Sequence, residues 1–157
     1  MPLPALAALA EAHLRDRLEP ARDPLTGLHD ARAFSELFRV HARNAEAMGG
    51  EAVAVVLTLI DAGDPRADRN AAADLKQLAT ACSTCVAEGD YVGRVGLTAT
   101  AALPRHGGMR GARSVATRLV ECCRELFAGV GRPVRIRVEL KDANDTVRES
   151  EEIALVG

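Results

Sequence analysis

Stretches in which apolar residues recur every three or four positions alternate with short, dense apolar runs along this chain. In the Ala-rich segment from Pro4 to Leu18, Leu6, Leu9, Leu14 and Leu18 form a rough helical stripe, and Pro20 is expected to end it. Phe34, Leu37, Phe38 and His41 predict a second helix, N-capped by Asp30 and ending near Gly49-Gly50. Glu51 to Ile60 is dense in valine and leucine and reads as a strand buried on both faces. Leu75, Leu78, Cys82 and Val86 share one face of a helix expected from about Asn70 to Val86. Asp90 to Pro104 reads as strand, tight turn, strand, with Gly96 expected to supply a positive φ at the turn. Arg110 to Ala128 predicts another long amphipathic helix, with Val115, Leu119, Cys122 and Leu126 inward. Val134 to Leu140 alternates apolar and charged residues, the mark of a strand with one face in water. Lys141 to Glu152 is polar and reads as loop or tail, and Ile153 to Val156 as a weakly paired edge strand.

After the first helix the order is therefore β-α-β-β-α-β, the split arrangement of an α+β, ferredoxin-like sheet covered by helices. Residues 1–22 form an N-terminal helix and linker, and 23–157 the domain. The loop after the first long strand and the turn at Gly96-Leu97 are expected at one end of the sheet, where a site would lie. For the N-terminal helix two readings stay open: packing on its own domain, or facing a partner.

Composition narrows the function. A chain of 157 residues fits one domain with a sizeable core. Its 22 acidic and 20 basic residues give a net charge of −2, so no basic excess points to nucleic acid. Aromatic residues are only 3% of the chain, too few for a base-stacking platform. No apolar run is long enough to span a bilayer and no basic segment opens a signal peptide, so a cytoplasmic protein without membrane insertion is expected.

Candidate chemistry is sparse. Cys82 and Cys85 have C-x-x-C spacing and Cys122-Cys123 are adjacent, yet both sets fall on helices and read as core packing rather than zinc ligands. A reducing compartment argues against a disulfide. Arg105 to Arg110 is basic and Gly-rich at a helix start, which suits an anion but more often is just a loop and cap. Asp61, Asp64 and Asp68 read as a solvated loop before residual metal ligands, and His41 as a packed histidine. Between Asp90 and Pro104 there is no carboxylate at all.

Asp23-Pro24-Leu25-Thr26-Gly27-Leu28, with Arg32 and Phe34 after it, resembles the D-x-L-T-G-L-x-N-R-R-x-F entry of GGDEF domains, the diguanylate cyclases. Ala73-Asp74-Leu75 looks like that family's G-D-x-L. Asp90 to Gly96 is similar to the D-x-v-a-R-x-G that leads into its signature hairpin, and Leu103-Pro104 matches the end of the next strand. The resemblance covers roughly Asp23 to Leu140. The departures matter equally. Where the family writes G-G-D-E-F, this chain has Gly96-Leu97-Thr98-Ala99, about one residue shorter and without the acidic pair. Asp61 and Asp64 do not match the spacing of the family's D-x-D-x-F-K. Its inhibitory R-x-x-D reads Ala87-Glu88-Gly89-Asp90 here, keeping only the aspartate. The closing helix, A-L-Y-x-A-K-x-x-G-R-N, has no counterpart, so the C-terminus is expected to be truncated.

The resemblance implies joining of two GTP molecules, a phosphoryl transfer that needs divalent cations held by carboxylates. The hairpin offers only the hydroxyls of Thr98 and Thr100 and backbone carbonyls, with Asp61, Asp64 and Arg94 as residual metal or nucleotide contacts and Asp90 as the residual inhibitory position. One lost electrostatic group costs about 10²–10³ in rate, so no catalytic residue, metal or cofactor is expected. The expectation is a catalytically inactive, GGDEF-like module for protein interaction in cyclic di-GMP-type signalling of bacteria, binding a partner or a second copy. A non-catalytic receptor for cyclic di-GMP or GTP is the alternative, though binding without the missing arginine is not expected. A third is an active cyclase with an atypical site.

Overall fold

The computed structural model describes residues 3–18 and 21–157. Pro20, expected to end the first helix, lies outside them, as does the side chain of Leu18. The elements run α1 (Leu3–Leu18), α2 (Ala31–Ala47), β1 (Val53–Leu59), α3 (Arg69–Cys85), β2 (Tyr91–Gly96), β3 (Ala99–Leu103), α4 (Gly108–Phe127), β4 (Val134–Asp142) and β5 (Val147–Val156). They form one five-stranded sheet in the order β2-β3-β1-β4-β5, with every neighbouring pair antiparallel. The β1-to-β4 part is the split β-α-β arrangement the pattern predicts.

Two apolar layers hold the sheet. On one face α3 and α4 lay Leu75, Leu78, Leu119 and Phe127 over Val55, Leu57, Ile136 and Val138. On the other, α2 sets Phe34 and Leu37 over Ala54, Val56, Ala101 and Leu103. Asp30 caps α2, accepting a bond from the Ala33 amide, as its sequence position suggests. Among the described residues, the apolar cover of the second face lies over β2, β3 and β1. Beyond β1 it presents charge: Arg135 and Arg137 of β4 both donate to Glu152 of β5.

Three sequence expectations fail here. Residues 141–152 are not a loop or tail: only 143–146 turn, and β5 runs for ten residues beside β4. Its side chains are nearly all exposed, so no apolar alternation marks it. On α4 the inward residues are Ala112, Val115, Leu119, Cys123 and Phe127, so Cys122 and Leu126 are half-buried flank positions. Gly96 does not take a positive φ; it pairs with Ala99, leaving Leu97-Thr98 as the turn.

Helix α1 packs on its own domain, the first of its two readings. It packs on α2 through a polar anchor rather than a leucine stripe. Leu14 touches the second core, but Leu6 and Leu9 stay 49% and 48% exposed. Glu11 is the buried residue.

Candidate functional site: the β2-β3 hairpin and its surroundings

The expected site lies where the end of β1 meets the hairpin turn: the Leu59 amide donates to the Thr98 carbonyl at 3.0 Å. Next to it runs the linker ahead of α2. His29 bridges to Gly93 in parallel, receiving the Arg94 amide at 2.9 Å and so covering the outer edge of β2. Gly93 lets α2 settle closely on β2, since a Cβ there would sit 2.6 Å from Cβ of Phe34.

This packing sets Asp23 against Arg94. Arg94 Nη1 donates to Asp23 Oδ1 at 2.9 Å, while the Thr26 amide and hydroxyl donate to Asp23 Oδ2 at 2.8 and 2.7 Å. Burial alone would raise the Asp23 pKa, but the bonds from Thr26 and Arg94 outweigh it and lower it. Arg94 also donates from Nη2 to the Leu97 carbonyl at 2.9 Å. Its guanidinium thus stitches the linker to the turn. The shallow hollow between them, about 250 Å³, is lined by Asp23, Asp30, Ala31, Arg94, Gly96 and Leu97.

The other candidate residues are scattered or engaged. Asp61, strained at φ 57°, is exposed and lies 3.6 Å from Arg135. Asp64 holds Arg66 in a two-pronged pair, with bonds of 2.7 and 3.0 Å to Oδ2, and these lower its pKa. Asp68 caps α3, accepting from the amides of Asn70 and Ala71. Asp90 accepts the Ala87 amide at 2.9 Å and the Arg105 amide at 2.8 Å. It is a loop staple. Thr100 is fully buried under α3, 3.4 Å from the Cys82 thiol, so its hydroxyl does not face the turn; only Thr98 remains there, beside the exposed Leu97. The loop before α4 is a glycine cap: Gly107 is left-handed at φ 93° and no side chain caps the helix. Among the described residues no three His, Cys, Asp or Glu side chains gather into a group that could hold a metal ion.

No protein-family model and no curated protein matches the sequence. Solved structures do. The diguanylate cyclase SiaD of Pseudomonas aeruginosa, in complex with its activator SiaC, superposes with a TM-score of 0.65 at 23% identity, over 86% of this chain. The chain spans 54% of that protein's length. The GGDEF domain of DgcB from Caulobacter crescentus, in complex with c-di-GMP, gives 0.61 at 20% identity, over 78% of this chain and 75% of that one. This chain has the GGDEF fold. Vibrio cholerae LapD, an S helix-GGDEF-EAL protein bound to c-di-GMP, gives 0.55 at 12% identity, over 87% of this chain and 31% of that one.

The turn between β2 and β3 is Leu97-Thr98, flanked by the paired Gly96 and Ala99. The Asp23–Arg94 bridge was not legible as a pair in the sequence, because the two lie 71 residues apart. The available signal was a lone arginine inside the otherwise uncharged strand from Tyr91 to Gly96. The buried Glu11 was missed as well. It accepts from His41 Nδ1 at 3.0 Å, Asn44 Nδ2 at 2.9 Å and the Tyr91 hydroxyl at 2.9 Å. No helix among the described residues is long and apolar enough to cross a membrane.

Proposed function

We propose that this chain is a GGDEF-fold module without cyclase activity that acts by binding protein, a second copy or a partner in cyclic di-GMP signalling. The observation that carries this is the turn itself. It presents Leu97 and Thr98, and the Leu97 carbonyl already receives Arg94. A divalent ion needs several oxygen ligands, carboxylates foremost. The carboxylates of the loop after β1 and of the linker do not fit that need. Asp64 is closed around Arg66, Asp61 leans toward Arg135, and Asp23 is taken up by Thr26 and Arg94. GTP joining has no charge-neutralising group to run on. Leu6 and Leu9, open on the outer side of α1, support the interaction reading.

The receptor reading has less support. Arg94 and Asp90, the residues nearest an inhibitory site in sequence, are both committed within the fold. The deciding assay incubates purified protein with GTP and Mg²⁺ or Mn²⁺ and separates the products by chromatography. No cyclic di-GMP is expected, and its formation would sink the proposal. Light scattering of the chain, alone and beside its L6S/L9S variant, tests self-association; a monomer in both directs the search to other proteins.

A further inference from the structure

The four cysteines lie in two layers between α3 and α4. Cys82 and Cys123 are fully buried core residues, and burial pushes both thiols up to about 12. Cys85 and Cys122 are only half-buried, at the solvent edge of the same interface. Cys85 is the last residue of α3, and its Sγ lies 3.6 Å from the Arg118 carbonyl oxygen. That carbonyl belongs to the turn of α4 that Cys122, four residues on, covers, because helical side chains lean toward the N-terminus. The two thiols therefore meet across the interface. Burial first, and then the Cys122 thiol, raise the Cys85 thiol to about 11.

We propose that Cys85 and Cys122 form a modification site, a thiol pair that closes to a disulfide between α3 and α4 on exposure to a low-molecular-weight disulfide. One cysteine thiolate attacks the small disulfide and releases one small thiol, leaving a mixed disulfide. The second cysteine then attacks that bond and releases the other small thiol. Two S–H bonds are lost, one S–S bond joins the helices, and the small disulfide is reduced to two thiols. In a reducing compartment the pair stays open. Closure fixes the end of α3, from which residues 86–90 lead into β2 and the Asp90 staple.

The test incubates the native full chain with oxidised glutathione, alkylates the remaining thiols and maps the peptides by mass spectrometry. The expected product has lost two hydrogens and carries a Cys85–Cys122 link, and C85S and C122S each abolish it. Both positions are half-buried, so the variants are checked for folding by circular dichroism, and the wild-type map stands without them. No crosslink, a persistent glutathione adduct, or a link through Cys82 or Cys123 would overturn the proposal. None of these results bears on whether the module makes cyclic di-GMP.

Discussion

At Arg94 one guanidinium serves three acceptors on two segments: the linker carboxylate of Asp23, and the adjacent carbonyls of Gly96 and Leu97 at the turn. Removing one partner of a fully buried pair costs about 3–5 kcal/mol. The Arg94 and Asp23 side chains are 17% and 11% exposed, so water softens the loss and Arg94→Ala should cost about 2 kcal/mol. A urea titration checks this, and an unchanged midpoint would mean the pair is ornamental. Gly93 gives a sharper contrast. Gly93→Ala pushes a methyl into Phe34 and should destabilise by about 1–3 kcal/mol. Gly129→Ala, which meets nothing within 4 Å and has no positive φ, should leave the midpoint in place.

The elements differ in how they are held, and that decides which were legible. Helices α2, α3 and α4 bury apolar stripes, so their periodicity announced them. The inward face of α4 was misjudged by one position in its second half, Cys122 for Cys123 and Leu126 for Phe127, because both members of each pair are apolar and periodicity alone does not choose between neighbours. The C-terminal end of β5, Ile153 to Val156, was legible as an edge strand, but residues 147–152 were hidden because they form an exposed edge held by its backbone ladder and cross-strand pairs such as Arg135–Glu152. The anchor of α1 was hidden because a buried glutamate reads as a surface residue until its partners are known. Burial would raise its pKa, yet the bonds from His41, Asn44 and Tyr91 pull it down to about 2, against 4.5 for the free side chain. A lowered carboxyl pKa contributes stability above about pH 4.5 that is lost as pH falls through about 2, on the order of 2–3 kcal/mol. The chain has one tyrosine, Tyr91, and no tryptophan, so tyrosine emission reports this bond directly. Emission should change between those two pH values, and Glu11→Gln should remove that step. A titration identical in both proteins would show that α1 is held some other way.

Taken whole, the molecule keeps the GGDEF scaffold while its turn, first loop and linker are each closed by their own internal bonds. On the reading proposed above, that distribution argues against gaining cyclase activity by placing acids at the turn alone. In an L97D/T98E variant the new carboxylates would stand beside Arg94, whose guanidinium already reaches the turn and would draw them into further ion pairing. Asp64 would stay on Arg66, and Asp61, with its side chain 86% exposed, would stay near Arg135. Two divalent ions demand oxygen ligands from more than one element, held before substrate arrives. The double variant should therefore remain inactive with GTP and Mg²⁺, with a melting temperature near that of the parent because Leu97 is half exposed and Thr98 lies in the turn. Turnover by that variant, measured by separating cyclic di-GMP from GTP, would mean that the loop after β1 supplies its ligands readily. The inactivity proposed for this chain would then rest on two residues rather than on the way the whole end of the sheet is tied together.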